Sequence, residues 1–343
     1  MAETHVFRFA SHAPQFANAF GSRATVTRAE FPLLDRMSLY RLILAAGAFR
    51  EPHWHPNAHE LGYCLRGRAV VTIFGNGNER SVFAVDEGQM FFVPSGFLHA
   101  IENVGASEAE IIICFSHAAP EDFGLSGSVG AMSLDVMGNT WGLDSASLAG
   151  LTRSVDDIVI GGVAGQPDAV EPEGGPSPYR FAVEEQVPPG IDTLYGGAKL
   201  ARASTWPALR DLSMFSLRLL GTGMREPHWH PETAELGYVV EGRARMTVRS
   251  PGAAVDTYLL GPGDVYFIPR AYPHHIENIG EDTIHFLVFF DQANGGDIGY
   301  TGGISAFPPR LVAPTLMAAG ARLPPIPATP RDLAVVHKVN PVD

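Results

Sequence analysis

Cysteine is nearly absent. Among 343 residues there are two, Cys64 and Cys114, too few for a disulfide framework and enough for one bridge at most. Both sit in apolar, strand-like runs of the first half. The corresponding residues of the second half are Val239 and Phe289, so the pair reads as two reduced core thiols. Basic residues are scarce as well: 24 Lys and Arg against 37 Asp and Glu, for a net charge of −13. That balance argues against a nucleic-acid-binding surface. No apolar run is long enough to cross a bilayer, so no membrane partner is expected. The segment Met1–Arg8 lacks a basic stretch followed by an apolar core, so no signal peptide is expected and a soluble, cytoplasmic protein is the default reading.

What is present is the composition of a buried globular chain, 45% hydrophobic and 18% charged. The 37 glycines and 27 prolines imply many turns and short strands. The length allows two domains of ordinary size.

One stretch is written twice. Glu51-Pro52-His53-Trp54-His55-Pro56 is followed by Glu60, and Glu226-Pro227-His228-Trp229-His230-Pro231 is followed by Glu235. Histidines one residue apart point to the same side of a strand, because strand side chains alternate. A carboxylate five residues later can reach the same ion. A further histidine, His99 or His274, stands five residues after Pro94 or Pro269. An isolated His-x-His would equally be two half-buried strand histidines. Here His53 and His228, Glu60 and Glu235, and His99 and His274 are all 175 residues apart. A set of three imidazoles and one carboxylate, with no thiolate, suits manganese or iron better than a structural zinc. His59 and His275, beside the ligands, are expected to point away from the metal.

The repeat extends along the chain. Ser38–Leu44 matches Ser213–Leu219, Leu61–Gly67 matches Leu236–Gly242, and Met90–Val93 matches Val265–Ile268. Short strands at even spacing, bounded by glycine and proline, describe an all-β barrel or sandwich whose inward histidines meet near its axis. Residues 5–35 read as a lead-in, 120–127 and 296–302 as loops, and 135–142 and 310–317 as short outer helices. Residues 163–178, rich in glycine, proline and acid, read as a linker between domains at 1–162 and 179–343. The proline-rich tail from Leu323 is expected to wrap a surface or a neighbour.

These motifs resemble the two-cupin oxalate decarboxylase family, over roughly Val6 to Gly320. The resemblance implies two tandem cupin barrels (double-stranded β-helix, or jelly-roll) with short helical excursions. It also implies one Mn(II) per domain (Fe(II) or another divalent metal as alternatives), dioxygen as co-reactant, a small carboxylate substrate, and a homo-oligomer. Arg50 and Arg225 fit the family's substrate-binding arginine, and a guanidinium fork matches a carboxylate bidentately. The family's lid carries a proton-donating glutamate in a Ser-Glu-Asn-Ser-Thr-like sequence. Here the lid reads Glu121-Asp122-Phe123-Gly124. Asp122 takes the glutamate's place, Glu121 is the neighbour that could substitute, and Asp297 is Asp122's counterpart. That departure leaves three outcomes open. The first is decarboxylation of oxalate to formate. The second is an oxalate oxidase reaction, or another metal-dependent dioxygenase or lyase reaction on a different carboxylic acid. The third is a non-enzymatic metal-dependent binding or storage cupin.

Overall fold

The computed structural model describes residues 4–163, 177–329 and 331–340. Most of the stretch read as linker lies outside them. The chain divides into two compact units, each built from two antiparallel sheets.

One unit comprises His12–Glu184 and Trp206–Arg210. Its first sheet runs, in spatial order, Arg180–Phe181, Met90–Val93, Glu60–Arg66, Ala109–Phe115, Ser38–Leu44, Gly21–Val26 and Phe16–Asn18. Its second runs Phe123–Gly124, Ala48–Trp54, Leu98–Asn103, Arg68–Phe74 and Arg80–Asp86, with Ile160–Gly162 also paired to Ala48–Trp54. Ala109–Phe115 is buried at every residue, as a central strand of a sandwich must be. Leu42, Val71, Ile73, Phe91, Ile111 and Phe115 belong to one apolar cluster of this unit. Two antiparallel sheets packed on a shared core form the jelly-roll expected from the repeat.

The other unit comprises the first eleven residues, Glu185–Thr205 and Asp211–Asp343, and repeats the plan. Its sheets run Val6–Phe7, Val265–Ile268, Glu235–Glu241, Ile284–Phe290, Ser213–Leu219, Gly196–Ala201, Ile191–Thr193, and Val255–Leu260, Ala244–Arg249, His274–Asn278, Gly223–Trp229, Ile298–Gly299. The tail strand Val335–His337 pairs with Gly223–Trp229, so the chain's end wraps its own metal-motif strand.

The compact units follow the sequence halves except at their leading edges. Val6–Phe7, from the first half, completes the sheet of the C-terminal unit against Val265–Tyr266. Arg180–Phe181, from the second half, completes the N-terminal unit's sheet against Met90–Phe91. The two leading edges are exchanged.

Each unit also carries a helix pair outside its sheets: α1 (Leu125–Ala131) and α2 (Leu134–Trp141), then α3 (Tyr300–Ser305) and α4 (Pro309–Leu316). The expected helices at 135–142 and 310–317 are α2 and α4. The helices α1 and α3 fall where loops were expected. Their sequences, Leu-Ser-Gly-Ser-Val-Gly-Ala and Tyr-Thr-Gly-Gly-Ile-Ser, have poor intrinsic helix propensity. Packing overrides that in α1. A Cβ on Gly130 would collide with the Ser154 carbonyl, and one on Gly127 with the Val155 carbonyl. The glycines let the helix lie directly on the returning backbone. Gly130→Ala should therefore destabilise the N-terminal unit by about 1–3 kcal/mol, read as a lower midpoint in urea unfolding. An unchanged midpoint would mean that α1 does not dock this closely.

Candidate metal centres

The N-terminal cluster is assembled by cross-strand register. His53, on Ala48–Trp54, stands directly opposite His99 on Leu98–Asn103. His55 follows one residue past the strand end. Glu60 opens the next strand. His53, His55, Glu60 and His99 are all buried, with their ligand atoms within 4.8 Å of one another. The C-terminal cluster, His228, His230, Glu235 and His274, meets the same limit. His274 stands opposite His228. The imidazole centroids are 4.1, 5.0 and 5.6 Å apart in the first cluster and 4.2, 5.0 and 5.6 Å in the second.

The hydrogen bonds on the far side of each ring fix what its near side offers. Nδ1 of His53, His55 and His99 faces the carbonyls of Glu51, Glu121 and Phe97 at 2.7, 2.8 and 3.0 Å. Nδ1 of His228, His230 and His274 faces those of Glu226, Gly296 and Tyr272 at 2.7, 2.9 and 2.9 Å. A carbonyl only accepts, so each Nδ1 donates its proton and each neutral ring presents a bare Nε2 lone pair. Those lone pairs converge on carboxylate oxygens. Glu60 Oε2 lies 3.1 Å from His55 Nε2 and 3.0 Å from His99 Nε2. Glu235 Oε2 lies 2.8 Å from His230 Nε2 and 3.2 Å from His274 Nε2. Acceptor facing acceptor, out of water, requires a cation between them. At His53 and His228 burial first, and Arg50 or Arg225 second, hold the imidazolium well below its ordinary range, so these two rings offer lone pairs and not protons. In the first cluster His55 Nε2 and Glu60 Oε1 are buried without a hydrogen-bond partner. A divalent ion fits this three-nitrogen, one-carboxylate donor set.

The clusters differ in one contact. Tyr266 Oη donates to Glu235 Oε1 at 2.7 Å. Phe91 occupies Tyr266's place in the first half, which leaves Glu60 Oε1 bare. The sequence alone could not say whether these rings line the sites or merely pack the barrels. His59 and His275 stand outside both clusters. His59 Nδ1 accepts the Ser95 amide, and His275 lies 3.8 Å from Glu277.

Arg50 and Arg225 are buried, at 3% and 5% exposure, so neither is the surface arginine that an isolated case would suggest. Arg50 Nη1 donates to the Val159 carbonyl (3.1 Å) and Nη2 to Asp122 Oδ2 (2.5 Å). Arg225 does the same with the Ala334 carbonyl (2.8 Å) and Asp297 Oδ2. Burial pushes the Asp122 carboxyl up, but Arg50, His55 and Arg23 outweigh it, and the net shift is downward. Glu121 is exposed on the lid beside it, and its backbone carbonyl is the one that orients His55.

Two residues with no role assigned from sequence anchor this lid. Glu51 Oε1 accepts the Val159 amide (2.6 Å) and Oε2 the Ser126 amide (3.1 Å). Glu226 accepts the amides of Leu333, Ala334 and Thr301 at 2.8, 2.9 and 3.0 Å. Both are within the duplicated hexapeptide, and that repetition was the available signal.

The cupin family model matches residues 7–148 and 185–321. The chain is 29% identical to the oxalate decarboxylase OxdC of Bacillus subtilis (strain 168), over 85% of this chain and 77% of that protein. It is 23% identical to an oxalate decarboxylase of Arthroderma benhamiae, over 79% and 70%. A shorter likeness, 34% over 27% of this chain and 43% of the other, is to the oxalate oxidase GF-3.8 of Triticum aestivum. Among solved structures, a mutant of B. subtilis oxalate decarboxylase superposes with a TM-score of 0.87 at 25% identity, covering 98% of this chain and 89% of that one. A further structure of the same bacterial enzyme, TM-score 0.86, comes from work on its Mn(II) centres.

Replacing Glu51 by Leu strands two buried amides. The expected cost is on the order of 3 kcal/mol in urea unfolding, with faster hydrogen exchange at the Ser126 and Val159 amides. Unaltered exchange at both would show that Glu51 does not hold the lid.

Proposed function

The chain belongs to the cupin family, with two cupin domains in one polypeptide, and from that premise we propose that it is a metal-dependent enzyme decarboxylating oxalate to formate and carbon dioxide. The observation that carries this reading is the pair of buried clusters, each with three Nε2 lone pairs and a carboxylate converging beside a buried arginine. Likeness to oxalate decarboxylases along most of the chain supports the reaction. The manganese centres of the bacterial relative support Mn(II), held by His53, His55, Glu60 and His99 and by His228, His230, Glu235 and His274, with Fe(II) satisfying the same donors. When bound, the ion supplies positive charge for a substrate carboxylate and, with dioxygen, one-electron chemistry.

The chain's own residues do the rest. Arg50, and Arg225 in the second domain, bind the substrate's other carboxylate through the guanidinium fork. The carbon–carbon bond of the oxalate mono-anion breaks, carbon dioxide leaves, and the remaining carbon takes a proton to become formate. That proton belongs to the lid. Asp122 is already engaged by two guanidiniums, so we assign the delivery to Glu121, its neighbour on the lid. Asp297 is the counter-ion of Arg225, and Glu121's counterpart in the second domain is Gly296, which leaves that lid without this acid. The N-terminal pocket is small, with about 10 Å³ of free volume, room for about one water.

The engagement of Asp122 favours one second reading. With no proton delivered, the same substrate and dioxygen yield two carbon dioxide and hydrogen peroxide, an oxidase outcome. We place the protein in the cytoplasm on its two buried cysteines, neither of which is in a disulfide. Among the described residues no helix is long and apolar enough to cross a membrane. We assign it a homo-oligomeric state on the exposed apolar side chains of the helix pairs, Met132, Val136 and Trp141, and Phe307, Leu311 and Leu316.

Incubating manganese-supplemented protein with oxalate should give formate, and Arg50→Lys should lower kcat/KM about a hundredfold. Peroxide instead of formate selects the oxidase reading. Neither product, with metal bound, overturns both.

A further inference from the structure

Arg23 lies on Gly21–Val26, in the segment that sequence reading treated as lead-in. In the fold this strand is part of the N-terminal unit's first sheet. Arg23 borders the N-terminal metal pocket together with Tyr40, Arg50, His53, His55 and Glu60. Its Nη1 donates to Asp122 Oδ2 at 2.7 Å, and Arg50 Nη2 donates to the same oxygen at 2.5 Å. Two guanidiniums therefore grip one carboxylate oxygen. The Tyr40 ring backs Arg23, with the guanidinium carbon 5.7 Å from its centroid. Two polar atoms of this arrangement are buried without partners, Arg23 Nε and Asp122 Oδ1. The carboxylate is thus held through one oxygen only, and Arg23 has a donor to spare.

The C-terminal pocket lacks this arrangement. Arg23's place is taken by Ala198 and Tyr40's by Phe215, and Asp297 Oδ2 meets Arg225. A second arginine of the C-terminal unit, Arg202, lies over the Phe215 ring at 4.5 Å, but among the described residues the ion pair on Asp297 is with Arg225, so the grip by two guanidiniums is seen on Asp122.

We propose that Arg23 and Arg50 form an anion seat for the second carboxylate of a dicarboxylate substrate, and that Asp122 occupies this seat until the substrate displaces it. The proposal rests on the reading of the pocket as a carboxylate site. Exchange of one carboxylate for another preserves the charge balance of the buried Arg50 and half-buried Arg23 guanidiniums, which a neutral ligand would not. A substrate carboxylate with both oxygens available can take up Arg23 Nε as well as the two Nη donors, which Asp122 does not do. Displacing Asp122 breaks the lid's ion pairs to Arg23 and Arg50, while Phe123–Gly124 stays paired with Ala48–Trp54. A monocarboxylate gains nothing from the seat, since its one carboxylate is used at the histidine cluster. The pair thus selects for two carboxylates, and does so in the N-terminal pocket.

Calorimetric titration of oxalate and of acetate into manganese-supplemented full-length protein tests this. Relative to wild type, Asp122→Asn should tighten oxalate binding about tenfold, and Arg23→Gln should weaken it about tenfold. Acetate affinity should stay within twofold in both. Arg23→Lys, which keeps the charge and guards against loss of fold, should also bind oxalate more weakly, because one ammonium cannot reproduce the fork. Oxalate affinity equal to wild type in all three variants would overturn the proposal and leave the carboxylate-site reading standing. Failure of wild type and Asp122→Asn alike to bind oxalate would overturn both.

Discussion

Six imidazoles and two carboxylates, buried in two clusters whose ligand atoms lie within 4.8 Å of one another, are the constraint to which the rest of the molecule conforms. Each ring is turned by a carbonyl on its far side, and each carbonyl is backbone. The direction of every Nε2 is therefore set by the fold and not by a flexible partner. An acceptor-only cluster of this kind is costly to bury without a cation. The jelly-roll holds it because the sheets place His53 opposite His99, and His228 opposite His274, across one ladder.

Around each cluster the same chain segments serve both structure and chemistry. The metal-motif strand carries an arginine followed by a buried glutamate. The glutamate takes the amides of the lid helix and of the returning chain, while the arginine takes the lid aspartate. Lid, metal strand and return strand are thus tied at one point in each domain. The domains then diverge by single side chains: Tyr266 on Glu235 where Phe91 leaves Glu60 bare, and Arg23 on Asp122 where Ala198 offers nothing. The two duplicated sites thus differ in the partners of their carboxylates.

Much of this was legible in the sequence. The ligands were, because period-two alternation and a constant repeat spacing leave few ways to arrange His53, His55, Glu60 and His99. The barrel was, because apolar runs such as Met90–Val93 alternate with glycine turns. The helices α1 and α3 were not, because their glycines serve close docking that only the tertiary contact explains. The exchange of Val6–Phe7 and Arg180–Phe181 was hidden because a two-residue edge strand carries no information about its partner. Arg23 was overlooked because an arginine in a short polar strand has no periodic signature. The engagement of Asp122 could not be inferred either, since the lid's loop sequence does not say which guanidinium it meets.

The central claim is that each cluster closes on a divalent cation. Crystals grown with Mn(II), measured at wavelengths on either side of the manganese absorption edge, test it most directly. The account predicts two anomalous peaks per chain. One should lie among His53, His55, His99 and Glu60 and the other among His228, His230, His274 and Glu235, each facing the Nε2 atoms. Absence of anomalous density at both clusters, with manganese in excess, would contradict it.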